Sequence, residues 1–321
     1  MTNIVVVGAG VMGSNHARVA AGLPGMELVA VVDLDLERAK AVAGPLGARA
    51  FATVEEVFAT VGADEQPRAA VVATPTAFHA STATALIDRG VAVLVEKPIA
   101  ATVEEAEQLV AHAAARGVTL MVGHIERFNS AVAELLRLDQ IPLHVSIERI
   151  GPFTARVADS VIHDLMIHDL DIVRSLGKSP VARVQAVGQR TRSQQEDIAV
   201  AMLTFESGMT ATITASRLGQ QKIRQISLTM PDSFIVADLI RQDLSVTRVE
   251  HVEYVSATGT RYRQTAAVEI PFLENRGEPL GAELREFIRA VESGTTPLVT
   301  GADGVEAIKL VHLVTEAVRA L

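Results

Sequence analysis

The chain has no cysteine and no tryptophan, and aromatic residues make up only 3% of it. Without cysteine there are no disulfides, no thiolate metal sites and no cysteine nucleophile. Lysine is scarce as well. It occurs at Lys40, Lys97, Lys178, Lys222 and Lys309, while lysine and arginine together number 29. In such a chain a lysine marks a place where arginine would not serve. Positive charge is in deficit: 38 acidic residues leave a net charge of −9. That argues against general binding of nucleic acid or of an anionic membrane, yet leaves room for a local basic pocket around one anionic substrate. No apolar run approaches the roughly 18 residues that a membrane span needs. Met1-Thr2-Asn3 lacks the basic run that opens a secretory leader, so a cytoplasmic protein is expected.

What is present is apolar and regularly spaced. Hydrophobic residues make up 49% of the 321 positions, enough for a sizeable core, and the length suggests about two domains. The first third alternates short apolar runs with helical stretches. Strands are predicted at Ile4–Val7, Leu28–Val32, Ala69–Ala73, Val91–Val95 and Leu120–Val122. Helices are predicted near Val11–Ala21, Leu36–Val42, Phe78–Asp88 and Val103–Ala115. The strand runs are continuously apolar, as strands covered on both faces are. This is an α/β pattern that implies a doubly wound parallel sheet. After Gly123 the character changes. Helices at Ala131–Leu138 and Val161–Leu176 flank a strand at Val145–Arg149, and from Val181 to about Ile270 the chain reads as successive strands, the last at Ser245–Val249. Several alternate in polarity, which fits an antiparallel sheet covered on one face. Helices return at Gly281–Val291 and Val305–Ala320. The expected division is 1–123 and 124–321.

Gly8-Ala9-Gly10-Val11-Met12-Gly13 fits G-x-G-x-x-G. Alone the pattern is weak. Here it follows a strand and opens a helix, where a tight turn and free N–H groups can receive a pyrophosphate. Asp33 ends the second strand 20 residues after Gly13, and a carboxylate there accepts from ribose hydroxyls while repelling a 2′-phosphate. The expected cofactor is NAD, held in 1–123. The plainer alternative is a structural turn with Asp33 as a helix cap. Asp35 is the expected cap of the next helix, and Arg38 is the feature that softens the preference for NAD. At the ends of later strands, Thr74 and Pro75 are candidates to line the cofactor, and Glu96-Lys97-Pro98 follows the Val91–Val95 run. A solvated loop charge is the usual role of a lysine. At a sheet edge, Lys97 can instead polarise a hydroxyl and stabilise the developing alkoxide.

A second motif runs from Val161 to Ile172. On a helix, Asp164 and His168 share a face, and Asp171 joins the same stripe. An aspartate one turn from a histidine can orient the imidazole and raise its basicity, which suits a base that takes a hydroxyl proton as hydride leaves carbon. A metal reading lacks an evident third ligand. A helix start decorated with acids explains Asp164 but not His168.

In order and spacing these residues resemble the glucose–fructose oxidoreductase/inositol dehydrogenase (Gfo/Idh/MocA) family. The matches are Gly8–Gly13 with His16 behind it, Asp33, Ala73-Thr74-Pro75 with His79, Glu96-Lys97-Pro98, and Asp164 with His168. The resemblance implies an N-terminal Rossmann domain and a C-terminal α/β domain whose large, mainly antiparallel sheet serves oligomerisation. It also implies Lys97, Asp164 and His168 as the catalytic set. Gly123–Asn129, Asp164–Asp169, and Ser216-Arg217 followed by Lys222-Ile223-Arg224 are similar to the branch that contains UDP-N-acetylglucosamine 3-dehydrogenases. Where that branch often has proline after the asparagine, this chain has Ser130.

A nucleotide diphosphate needs cations, which Arg156, Arg217, Lys222 and Arg224 can supply; singly, each reads equally well as a solvated strand charge. The expectation is therefore NAD-dependent oxidation of a secondary ring alcohol, preferably the C3 hydroxyl of UDP-N-acetylglucosamine, by a homodimer or homotetramer with no metal. The rivals are an inositol or free-sugar dehydrogenase, a glycosidase with tightly held NAD, and a non-catalytic nucleotide-binding regulator.

Overall fold

In the computed structural model, which describes residues 1–154, 159–248, 252–255, 257–259, 261–264, 267–273 and 276–320, the apolar runs of the first third pair side by side. The elements in chain order are β1 (Thr2–Val7), α1 (Val11–Gly22), β2 (Met26–Val32), α2 (Leu36–Ala43), β3 (Arg49–Phe51), α3 (Val54–Thr60), β4 (Ala69–Val72), α4 (His79–Ile87), β5 (Ala92–Glu96), α5 (Val103–Arg116) and β6 (Leu120–Gly123). The sheet order is β3-β2-β1-β4-β5-β6, and every pairing in it is parallel. The order reverses between β1 and β4, which is where ligands of such sheets bind. The sequence pattern did not reveal β3 and α3. A three-residue strand is too short to show a period, and α3 is announced only by Thr53, whose hydroxyl accepts from Glu56 N–H at 3.3 Å.

The following stretch forms α6 (Ser130–Leu136), β7 (His144–Ile150), α7 (Ile167–Gly177), β8 (Val181–Gln189), β9 (Ile198–Phe205), β10 (Thr210–Ser216), β11 (Ile223–Thr229), β12 (Ser233–Asp238), β13 (Asp243–Arg248), β14 (Val252–Val255), β15 (Arg261–Gln264) and β16 (Ala267–Glu269). Eight of these strands make one sheet, β16-β13-β12-β11-β7-β10-β9-β8, while β14 and β15 pair separately. Only β7 and β10 run parallel in the large sheet. Along β9 and β10 buried residues alternate with more accessible ones, the signature of a sheet covered on one side. Val249, the expected end of the last predicted strand, lies outside the described residues.

The chain closes with α8 (Pro279–Ser293) and α9 (Gly301–Arg319). Contacts divide it into one unit of Met1–Phe128 with Gly277–Lys309, and another of Asn129–Arg276 with Leu310–Leu321. This differs from the expected division, which assigned everything after 123 to the second domain. Both faces of the parallel sheet are apolar and need cover. Leu280, Leu284, Phe287 and Ile288 of α8 pack with Ile4, Val6 and Leu94 on one face. Val299, Val305 and Ile308 join Val5, Val7 and Val95 on the other.

In the second unit a buried ion pair fixes α7 to the sheet. Arg149 on β7 donates from Nε to both Asp169 oxygens at 2.9 Å and from Nη2 to Oδ1 at 2.7 Å. Both side chains are buried. Removing one partner leaves the other charge in a dry site, which costs about 3–5 kcal/mol. Asp169→Ala is therefore expected to lose about that much stability in urea unfolding.

Candidate active site

The glycine turn is dictated first by the protein itself. Gly8 has φ +100°, and a Cβ on it would lie 2.4 Å from the Ala73 carbonyl oxygen. A Cβ on Gly13 would lie 1.7 Å from the Gly8 oxygen. These two glycines let β1, α1 and the end of β4 approach one another. At Gly10, by contrast, an added Cβ meets nothing within 4 Å. Gly10 instead faces a cleft of about 760 Å³ whose lining includes Gly8, Asp33, Arg38, Thr74, Pro75 and Phe78. Val11 and Met12 open α1, which carries no acidic residue of its own in the first turn.

Asp33 stands at the end of β2 in this cleft. Its Oδ2 accepts from Ala9 N–H at 2.8 Å and its Oδ1 from Asp35 N–H at 2.9 Å. The carboxylate thus ties the glycine loop to the β2–α2 turn. The cap of α2 is Asp35, which accepts from Arg38 N–H. Arg38 pairs with Asp35 at 3.1 Å and reaches Asp33 at 3.5 Å, so the cation beside the cleft is engaged with two carboxylates.

At the next strand ends, Lys97 follows β5 and is half-buried. Glu96, behind it, is buried and accepts from His16 Nε2 at 2.6 Å and from Lys97 N–H at 3.2 Å. His79 is buried with one ring nitrogen 2.7 Å from the Thr74 oxygen and the other 2.7 Å from the Pro98 oxygen. It clamps the Thr74 and Lys97-Pro98 loops together.

Asp164 and His168 belong to the second unit, and both are half-buried. The segment is not the uniform α-helix that the pattern predicts: Ile162–Met166 is a π turn, and α7 proper starts at Ile167. Ser160 begins it, its hydroxyl accepting from Ile162 N–H and its carbonyl from Asp164 N–H. A π turn takes more residues than an α turn, so a seven-residue stripe does not carry through it. Asp171 is buried, like Asp169, and does not share the accessibility of Asp164 and His168. Arg217 is buried, donates to the Asp159 carbonyl and lies 4.0 Å from Asp197. Lys222 is exposed and Arg224 half-buried beside it. Arg156 lies outside the described residues. Sequence reasoning missed Arg149, Asp169 and Glu283; the signal for the last is a lone carboxylate in the apolar face Leu280, Leu284, Phe287. Among the described residues no group of three or more His, Asp or Glu is placed to hold a metal, and no helix is long and apolar enough to cross a membrane.

Residues 2–124 match the oxidoreductase family with an NAD-binding Rossmann fold, and residues 148–230 match the Gfo/Idh/MocA C-terminal domain. The chain belongs to the Gfo/Idh/MocA family. It is 31% identical over 301 residues to UDP-N-acetylglucosamine 3-dehydrogenase of Acidithiobacillus ferrooxidans, covering 93% of this chain and 91% of that one. The solved structure of that enzyme superposes with a TM-score of 0.88 over 99% of this chain and 97% of its own, at 30% identity. Identity to the NAD-dependent scyllo-inositol 2-dehydrogenase of Bacillus subtilis is 29% over 320 residues, 93% of this chain and 88% of that enzyme. GenD2 of gentamicin A biosynthesis, solved in complex with NAD, superposes with a TM-score of 0.81 at 25% identity, covering 99% and 94%.

This family member is an NAD-dependent oxidoreductase. The cleft fits the cofactor on its own evidence. Thr74 Oγ1 is buried there without a hydrogen-bond partner in the protein, and Gly10 leaves open the space that a side chain would fill. Replacing Asp33 removes a charged acceptor, worth about 1.5–3 kcal/mol per hydrogen bond. Asp33→Ser is expected to weaken NAD binding by tenfold or more and to narrow its advantage over NADP, read by titrating both nucleotides. Tighter NADP binding by the unaltered protein would reassign the cleft to Arg38.

Proposed function

We propose that this protein oxidises a secondary ring alcohol of a sugar, and that its substrate is UDP-N-acetylglucosamine, oxidised at the C3 hydroxyl. The observation that carries the substrate is the correspondence, over nearly the whole of both chains, with the Acidithiobacillus enzyme. The inositol dehydrogenases among the relatives favour a second reading, oxidation of a cyclitol. Both readings share one reaction: a CH–OH becomes a ketone, with the hydride and the hydroxyl proton leaving separately.

NAD, when bound, supplies the hydride acceptor. The cofactor-binding set is Gly8, Gly10, Val11, Met12, Gly13, Asp33, Thr74 and Pro75, with His79 and Glu96 shaping the loops around Lys97. His168 takes the hydroxyl proton, Asp164 orients its imidazole, and the Lys97 ammonium stabilises the alkoxide as it forms. Arg156, Lys222 and Arg224 are proposed to meet the diphosphate. For Arg217 the neighbouring Asp197 supports a supporting role, since part of its charge is already matched. The accessible face of the large sheet carries Val187, Met202 and Phe234, which supports assembly as a dimer or tetramer. Light scattering at micromolar concentration is expected to return at least twice the chain mass.

The decisive experiment offers NAD together with UDP-N-acetylglucosamine, myo-inositol or scyllo-inositol. NADH is followed by absorbance and the product by mass. The nucleotide sugar is expected to react and to yield a product lighter by two hydrogens; turnover of a cyclitol alone would select the second reading. With the reacting alcohol, His168→Ala should lower kcat by about 10²–10⁴ while leaving NAD affinity intact. Lys97→Arg should also impair turnover, because the planar, delocalised guanidinium keeps the charge but does not replace the compact ammonium that stabilises the alkoxide. Normal turnover of His168→Ala would remove it from the reaction.

A further inference from the structure

Three ionisable side chains are buried on the face of the parallel sheet where α8, through Leu280, Leu284 and Phe287, packs with Leu94 of β5 and with Ala17 and Ala20 of α1. His16 on α1 is 0% exposed, Glu96 at the end of β5 is 7% and Glu283 on α8 is 0%. Their hydrogen bonding is lopsided. Glu96 receives the His16 ring N–H at 2.6 Å and the Lys97 backbone N–H at 3.2 Å. Neither oxygen of Glu283 finds a hydrogen-bond partner in the protein. Two carboxylates in one dry region do not both ionise, and the charge settles on the one with donors.

We propose that His16, Glu96 and Glu283 form one buried cluster that sets a single fixed negative charge, on Glu96, beside Lys97, with Glu283 acting as a positioning residue through Glu96. The Lys97 backbone hangs from Glu96, Glu96 is held by His16, and Glu283 keeps its proton so that no second anion competes for the ammonium. Burial, then the Glu96 charge, pushes the Glu283 carboxyl well above the usual carboxylate range. Burial also works to raise Glu96, but the His16 hydrogen bond and charge and the Lys97 ammonium outweigh it and hold Glu96 below its ordinary value. Other ionisable groups on α8 and the elements packed against it include Arg18 on α1, which pairs with Glu278 at the start of α8, His124, Glu126 and Arg127 in the turn after β6, Asp303 at the start of α9, and Arg285, Glu286, Arg289 and Glu292 on α8 itself. Arg127 and Asp303 face each other at 3.7 Å.

The catalytic meaning rests on the reading of Lys97 given above, so the test reads the cluster without turnover. With only five lysines in the chain, ¹³C-lysine NMR of the full-length protein can follow Lys97, assigned through Lys97→Arg. In the wild type its resonance should show a step as Glu283 ionises, above the usual carboxylate range, and Glu283→Gln should abolish that step. Infrared difference spectra at pH 7 should show a protonated-acid carbonyl band in the wild type that Glu283→Gln lacks.

Stability should follow with a definite sign. A glutamate whose folded-state value is raised loses stability as pH climbs from its unfolded value, about 4.3, toward the folded one. Glutamine loses none, so the Tm of Glu283→Gln relative to wild type should become more positive over that interval. If Glu283→Leu does not fold, these Glu283→Gln readouts still decide. No acid band, or a Lys97 titration identical in wild type and Glu283→Gln, would overturn the proposal. Normal turnover of Lys97→Ala would reject the catalytic role of Lys97 instead, and leaves the band and the titration unchanged as evidence on the cluster.

Discussion

A parallel sheet that is apolar on both faces has to be covered on both faces, and the first unit depends on that requirement. Ile4 and Val6 point to one side of β1 and Val5 and Val7 to the other, and all four are buried. The local βα connections supply much of the cover. The rest comes from the far end of the chain, where α8 contributes Leu280, Leu284, Phe287 and Ile288. Burying side chains of this kind is worth about 1.5–3 kcal/mol each, so α8 supplies a gross term comparable with the 5–15 kcal/mol by which a whole domain is stable. The cost of this solution is one carboxylate, Glu283, carried into the interior on the same helix face.

The nucleotide cleft follows from the same close packing. Gly8 and Gly13 are required because β1, α1 and the β4 end meet too tightly for a side chain. Gly10 is required by nothing inside the protein and is explained by what approaches from outside. Asp33 serves both ends: it braces the glycine loop through Ala9 and presents its carboxylate to the cleft. Asp33 therefore braces the turn and lines the cleft at once, while the cap of α2, the plainer role considered for Asp33, falls to Asp35.

Five of the six parallel strands, all but β3, were legible because continuous apolar runs such as Val5–Val7 and Val91–Val95 leave little choice of environment, and the glycine turn because its spacing is chemically restrictive. α8 was legible to within two residues at each end, Gly281–Val291 expected against Pro279–Ser293; its partner was not, since helical periodicity says which face is buried but not against what. The π turn at Ile162–Met166 has no compositional signature, so the helix carrying Asp164 and His168 was drawn too regular and Asp171 was placed in their stripe. Arg149 and Asp169 were invisible for a related reason. A strand arginine and a helical aspartate read separately as solvated charges until β7 and α7 are laid together. Arg217 carries the same lesson, since its approach to Asp197 links the residue just after β10 to the one just before β9.

The late arrival of α8 also bears on how the protein is made. Synthesis delivers Met1–Phe128 first, then all of Asn129–Arg276, and only then the segment that seals the first sheet. At typical translation rates of about 5–20 residues per second, the face built on Ile4, Val6 and Leu94 waits roughly ten to thirty seconds for its cover. During that interval the nascent chain presents an apolar surface that is already nearly folded, a natural target for a ribosome-associated holdase, and a chain cut short before Phe287 is left with that surface permanently.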